Sequence, residues 1–336
     1  MKRPIQACVA AAALLGFAAS ASCAETSEVR VARQYGIGYL QFMIMEEQKL
    51  VERHARALGG GDVKVSWAQI SGGSTMNDAL ISGSLDFAAV GVPPMVVLWA
   101  RTDGERSIRG VAALNSYPMY LNTTNPNVRS VKDFGANDRI AVPAVKVSAQ
   151  AIALQMAAAK AFGESNYQKL DALTVSMSHP DAVTALLSRS AGVNSHFTNQ
   201  PFSAKELKDP KIHTVVNSFQ IYGGPATAVV AIGSGAFRKA NPNLYKAFYA
   251  ALQEATKFIN DDRPRAAELY LKMSKDKSVT REEIVAMLSD PDFTYTVTPA
   301  NVQETAVFMN KVGSIKRAPA SWKDMFFQEA HELPGS

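Results

Sequence analysis

The chain has 336 residues, too many for one ordinary hydrophobic core and suited to two domains of about 100–150 residues each. With 47% apolar and 19% charged residues it is globular rather than disordered; a net charge of +5 with no Lys/Arg block is too dispersed to bind nucleic acid by charge. Both cysteines, Cys8 and Cys23, lie within the first 24 residues, so a chain without that segment has no thiol, which excludes a disulfide scaffold, thiolate catalysis and Cys-ligated metal.

Residues 1–24 read as a secretory signal peptide. Met1-Lys2-Arg3 is a basic start, Val9 to Ala19 is apolar, and Ser22-Cys23-Ala24 places small residues at −3 and −1 of a cut before Glu25. The apolar run is too short for a permanent anchor. Ser20-Ala21-Ser22 lacks the Leu-type residue of a lipoprotein box ahead of Cys23. Export as a soluble protein is expected.

From there β-branched runs alternate with helical segments. Strands are expected at Val29–Gln34, Val63–Trp67, Leu85–Val90 and Ile108–Leu114, with helices at Tyr39–Leu58, Ser74 to about Ser82, and Pro93 to about Arg101. This is the βαβ series of a parallel sheet covered by helices. After Tyr117–Asn125 the pattern restarts: strands at 138–142, 172–176, 193–198 and 212–216, and helices from Ser148 to Phe162, Pro180 to about Ser190, and Pro201 to Leu207. Thr227–Ile232 is a further strand. From Asn241 the chain is helical, with capping-box spacing at Thr280–Glu283 and Ser321–Asp324. Two lobes follow: residues 25–121 and 122–225, with 226–336 returning to the first lobe and covering it with C-terminal helices. Crossovers are expected near Tyr117–Asn125 and Tyr222–Ala226.

The chain carries no G-x-S-x-G elbow and no phosphate-binding loop, and Gln41 stands where a dinucleotide fingerprint opening at Gly36-Ile37-Gly38 needs glycine. No two histidines form an i,i+4 pair, so neither a metal nor a cofactor is expected. His179, ahead of Pro180 and Asp181, reads as a capping or surface residue, and His196 as a core strand residue near a candidate loop.

Ligands of open α/β sheets sit beyond the carboxyl ends of the strands. The loops there (35–39, 69–75, 90–94, 115–125, 143–148, 198–201 and 220–226) contain no Asp or Glu. Several end at helix N-termini, whose free N–H groups attract anions. Lys146 is their one formal charge, apart from Arg33 just ahead of the first loop. The candidate ligand contacts are Gly38, Tyr39, Ser71, Gly72, Gly73, Gly91, Val92, Lys146, Ser148, Asn199 and Tyr222, with Tyr39 and Tyr222 the aromatics best placed in Gly-containing turns. A small anion or a neutral polar ligand is favoured. Lys146, two residues before the Ser148 cap, is expected to donate a charge-assisted hydrogen bond to an anion.

The chain resembles periplasmic substrate-binding proteins of ABC importers of the nitrate/sulfonate/taurine type, also called NMT1-like. The matching stretches are Ser71-Gly72-Gly73-Ser74 with Ala79–Phe87, Gly91-Val92-Pro93-Pro94, Ser130–Phe134, Ile140-Ala141-Val142-Pro143, Pro180–Leu187 and Ala318–Phe327. The resemblance implies a type II periplasmic-binding-protein fold with hinge closure, a periplasmic location, an ABC permease and ATPase as partners, monomeric action, and no enzymatic activity. It implies an anionic ligand group held by the turns at 36–39, 71–74, 91–93 and 146–148, and hence a small organic anion such as a sulfonate or an aromatic carboxylate. Pro143–Ser148 departs from the usual Gly/Ser-rich turn, and Thr198-Asn199-Gln200-Pro201 from a Trp-Glu-Pro version that carries a carboxylate. The alternatives are a neutral pyrimidine-type thiamine precursor as ligand, or an enzyme of the thiamine branch, which uses a cysteine cluster that this chain lacks beyond residue 24.

Overall fold

The structure is a computed structural model and describes residues 25–71 and 73–336; the expected signal peptide lies outside them. In chain order the first lobe has β1 (Glu28–Arg33), α1 (Leu40–Glu47), α2 (Leu50–Ala57), β2 (Lys64–Gln69), α3 (Gly73–Ile81), β3 (Phe87–Gly91), α4 (Val92–Arg101) and β4 (Ile108–Ser116). The second has β5 (Tyr120–Thr123), β6 (Ile140–Val142), α5 (Ala149–Phe162), β7 (Thr174–Ser176), α6 (His179–Ser188), β8 (Ser195–Thr198), α7 (Phe202–Glu206), β9 (His213–Asn217) and α8 (Ser218–Tyr222). The chain then returns through β10 (Thr227–Ser234), α9 (Gly235–Ala240), α10 (Pro242–Asp261), α11 (Arg263–Ser274), α12 (Arg281–Ser289), β11 (Thr294–Tyr295) and α13 (Val302–Lys311).

The strands form two sheets, ordered β11-β4-β10-β3-β1-β2 and β7-β6-β8-β5-β9. Neither is purely parallel, which corrects the sequence expectation. β10 runs antiparallel to β3 and β4, and β5 antiparallel to β8 and β9. These are the strands that follow the two passages between sheets. A chain arriving from the facing sheet enters at the end where its neighbours finish, so it must run against them, whereas a parallel strand needs a helical crossover back to the start.

Local chemistry explains most elements. Ser148 Oγ accepts from Ala151 N at 3.2 Å to open α5, and Gly163, at φ 91, closes it. Thr280 and Glu283 make the reciprocal capping box that opens α12, and Ser321 with Asp324 caps a 3₁₀ turn. The apolar stripe over 39–58 is two helices instead of one, because Lys49 takes a left-handed backbone (φ 51) between them. α10 packs over α1 and α2, with the Phe248 ring stacked on Phe87 at 3.8 Å and edge-on to Phe42 at 5.7 Å. Aromatic burial of this kind locks the C-terminal helices to the first sheet. No helix among the described residues is long and apolar enough to cross a membrane.

Candidate functional site

Where the two sheets face each other, a small cavity of about 20 Å³ is enclosed by both lobes. As it stands it has room for about one water molecule. The first lobe contributes Gln34, Tyr39 and Gly91; the second contributes Ser148, Gln150 and His179. Among the described residues lining it there is no Asp, Glu, Lys or Arg.

Three helix N-termini converge there. Gly91 is the N-cap of α4, Ser148 of α5, and Ser178 of α6, whose first residue is His179. The unpaired N–H groups and the positive dipole ends of those helices make the neutral cavity electropositive. α4 and α5 come from opposite lobes and meet here: a Cβ on Gly91 would lie 2.8 Å from the Ala149 Cβ. Gly36 serves a matching role at φ 114, a conformation open to glycine, with Asn199 and the Gln200 carbonyl close above it. The neighbouring Ile37 N–H donates to that carbonyl across the lobes at 3.2 Å.

Two phenols add neutral donors. Burial pushes the Tyr39 hydroxyl well above its ordinary range, helped by Tyr117, and burial raises Tyr117 likewise against the bond from Asn199. The Tyr117 ring is stacked on Phe293 at 4.6 Å and fills the space that a side chain on Gly38 would need. Asn199 Nδ2 donates to Tyr117 Oη at 3.4 Å, while its buried Oδ1 has no partner.

Behind the cavity lies a buried polar chain. Gln150 Nε2 is 3.3 Å from His179 Nε2, His179 Nδ1 is 2.8 Å from His196 Nε2, and His196 Nδ1 is 2.5 Å from Glu206 Oε1. Asn122 Nδ2 donates to the other Glu206 oxygen at 2.8 Å and to Ser203 Oγ at 3.1 Å. His179 is 6% exposed, and His196 and Glu206 are 0%. Burial first, then the neighbouring His196, hold the His179 imidazole well below its usual range, so it is neutral at physiological pH. The Phe202 ring stacks on His179 at 5.3 Å and lines an open groove of about 800 Å³ together with Tyr35, Met43, Leu187 and Tyr270.

Tyr39, Gly91, Ser148 and Asn199 are thus brought together, as expected. Gly38 lies behind Tyr117 and gives its carbonyl to Asn115 Nδ2 at 2.6 Å. Val92 is buried as the first residue of α4. Ser71 is exposed, Gly73 begins α3, and Gly72 lies outside the described residues. Lys146 is not brought to the cavity, a correction: its left-handed backbone (φ 61) leaves it exposed on the second lobe, where its charge acts on Asp171. Tyr222 also stays away, because the turn expected at 220–226 starts as α8 and Tyr222 closes that helix against the core. Arg33 is paired with Glu46 at 3.0 Å. His179 is a buried cavity residue and not the surface cap expected. The turn at 36–39 was expected at the site through the resemblance, and Gly36 is there; sequence reasoning passed over Gln150, Glu206 and the linkage of His179 to His196, since strand pairing and helix docking bring these residues together and no local spacing announces it.

Ion pairs tie the lobes on either side of the cleft. Lys205 of α7 bonds Asp276, which follows α11; Lys208 reaches Glu283 of α12 at 2.7 Å, and Lys311 of α13 reaches Glu164 at 2.5 Å. Burial would raise the Asp276 carboxyl, but Lys205 and Ser278 outweigh it and hold it below its usual range, so the latch is charged at neutral pH. Removing Lys205 and Lys208 together (both →Ala) is expected to loosen closure by about 1 kcal/mol, hence roughly fivefold in Kd. Calorimetry reads the affinity and small-angle scattering the ligand-free radius of gyration, which should increase. Unchanged values for both would mean that the pairs do not hold the lobes.

The architecture is that of solved binding proteins. The alkanesulfonate-binding protein SsuA from Xanthomonas axonopodis pv. citri, bound to MOPS, matches with a TM-score of 0.69 at 17% identity over 88% of this chain and 96% of its own. The periplasmic aliphatic sulphonate binding protein SsuA from Escherichia coli matches with a TM-score of 0.65 at 17% identity over 91% and 99%. The periplasmic nitrate-binding protein NrtA from Synechocystis PCC 6803 matches with a TM-score of 0.68 at 14% identity over 90% and 84%. At these identities the likeness carries the fold, which is the two-lobed periplasmic-binding-protein fold; these neighbours are binding proteins. Among curated proteins none matches the chain. The model of the NMT1-like family matches residues 22–273, three quarters of the sequence and every strand of the two sheets except β11, and the chain belongs to that family.

Proposed function

We propose that the protein is the solute-binding component of an ABC importer, acting as a periplasmic monomer after loss of its signal peptide. It closes on a small organic anion of the sulfonate or aromatic carboxylate class and delivers it to the permease and its ATPase. The observation that carries this reading is the enclosed cavity where the N-termini of α4, α5 and α6 converge among neutral donors with no carboxylate. Such a site favours negative charge and offers nothing to an ammonium group. A cavity of about 20 Å³ is far smaller than an organic ligand, so entry requires the lobes to part. The acidic head then sits among the helix ends, and the organic body extends past Phe202 into the adjoining groove. The sulfonate- and nitrate-binding neighbours support the same ligand class.

A thermal-shift panel of ethanesulfonate, nitrate, benzoate and a hydroxymethylpyrimidine tests the reading. A ligand at 100 times its Kd stabilises by about 2.7 kcal/mol, so a binding anion should raise the melting temperature by several degrees. Stabilisation by the pyrimidine alone would instead favour the second reading, a neutral thiamine precursor, for which the partnerless Asn199 Oδ1 would accept a ligand N–H. Lys146→Ala should change the affinity of any anion less than about twofold, since a solvated lysine outside the cavity contributes little; a tenfold loss would return Lys146 to the site.

A further inference from the structure

We propose that anion binding in the cavity is coupled to the uptake of one proton by the buried Glu206–His196–His179 chain. The inference rests on the reading of the ligand as an anion and deepens it by accounting for the charge of the polar chain behind the cavity.

Each contact along the chain carries a single hydrogen, and each neutral imidazole has one N–H and one bare nitrogen. With Glu206 ionised and both rings neutral, His196 Nδ1–H donates to Glu206, His179 Nδ1–H donates to His196 Nε2, and His179 Nε2 faces Gln150 as a bare acceptor. The chain then has a net charge of −1 and turns a lone pair toward the cavity, and an anion is repelled twice over. Adding one proton reverses the His196–His179 and His179–Gln150 contacts. Whether that proton rests on Glu206 or makes His196 an imidazolium, His196 Nε2–H now donates to His179 Nδ1, and His179 Nε2–H points outward as a donor. The chain is neutral. The outcome at the cavity does not depend on where the proton sits in the Glu206–His196 bond.

The groups that face the chain from the elements packed against it are neutral or already paired. Burial and the neighbouring His196 disfavour charge on His179 itself. From β5, Asn122 bonds the second Glu206 oxygen; from α7, Phe202 covers His179, and Lys205 is engaged by Asp276. On α6, Asp181 is turned to the Ser178 hydroxyl. Tyr39 and Tyr117, the titratable groups facing from the first lobe, are held neutral by burial. Gln150 is the one partner able to serve both states, since rotating its amide exchanges a donor for an acceptor. A chain that served packing alone would end on a fixed partner; this one ends on an adaptable amide at the ligand cavity.

The linkage sign follows. The bound anion prefers the protonated chain, so it raises the chain's proton affinity, and binding tightens as pH falls and weakens as pH rises. Two measurements on the whole protein test this. Long-range ¹H–¹⁵N spectra between about pH 5 and pH 9 should find the His179 proton on Nε2 in the anion-saturated protein and on Nδ1 in the ligand-free protein at the alkaline end; the same tautomer with and without anion throughout overturns the inference. Calorimetry with ethanesulfonate and nitrate, in buffers of different ionisation heat, should detect uptake approaching one proton at alkaline pH, with Kd rising by up to about tenfold per pH unit. Glu206→Gln, whose amide can donate to His196 Nδ1 without a titrating proton, should flatten that dependence. His179→Gln, which retains an N–H donor, serves if Glu206→Gln does not fold. A slope that persists in the folded variant overturns the coupling. So does pH-independent binding by the wild type, which leaves the anion reading intact, whereas failure of both anions to bind at any pH removes the anion reading and the coupling with it.

Discussion

Gly91→Val is expected to cost on the order of a hundredfold in ligand affinity while both lobes remain folded. Gly91 ends β3 with an ordinary extended backbone (φ −67, ψ 163), so the substitution brings no conformational strain of its own. The obstacle is across the cleft: the first added carbon would stand 2.8 Å from the Ala149 Cβ, well inside the 3.5–4.0 Å or so of a normal carbon contact. Ala149 belongs to the first turn of α5 and is fixed by the Ser148 cap, so it cannot yield locally. The lobes can part instead. Overpacking of this kind costs about 1–3 kcal/mol, and a closed form made rarer by that amount lowers the apparent affinity by the same factor, roughly tenfold for alanine and more for valine. Calorimetry gives the affinity, circular dichroism checks the fold, and scattering should find a larger radius of gyration that ligand no longer reduces. Valine binding within about twofold of wild type would mean that the liganded lobes do not meet at Gly91.

The same contact marks how far a sequence can be read. Elements set by neighbouring residues were legible: α5 between the Ser148 cap and Gly163, α12 from its capping box, and the β-branched runs that became β1 and β4. The loops beyond the strand ends carried the site's main property, its lack of carboxylates, and four of the expected contacts line the cavity. What failed was set by distant parts of the chain. β5 was hidden inside the expected 117–125 crossover because four residues between two lobes have no period of their own. Lys49 breaks the 39–58 stripe with a left-handed residue that hydrophobic spacing does not reveal. Lys146 looked like a ligand group from its place beside a helix cap, but a single left-handed backbone angle turned it to solvent. His179, His196 and Glu206 come from three different elements, and only sheet pairing and the docking of α7 convert them into one chain.

Glu206→Ala is expected to be the most destabilising single change in the second lobe. The carboxylate is 0% exposed and accepts from both His196 Nδ1 and Asn122 Nδ2, tying α7 to β8 and β5. Truncation leaves the His196 nitrogen buried without its partner, Asn122 with only Ser203, and a void where the side chain stood. Leaving a buried hydrogen-bonding group without its partner costs about 1–3 kcal/mol, and the void left by the side chain adds to it, about 3–5 kcal/mol together. For a protein of this size that is a fall of roughly 10 °C in melting temperature. Glu206→Gln keeps the shape and offers both an N–H and a carbonyl, so it should lose less than half as much. Urea denaturation of the three proteins measures the difference. Hydrogen exchange should find it concentrated in β5, β8 and α7, with the first sheet unaffected, because the second lobe has its own sheet and opens as its own unit. A loss below about 1 kcal/mol for alanine, within the range of an ordinary surface change, would mean that water replaces the carboxylate without penalty and that the cluster does not hold the second lobe together.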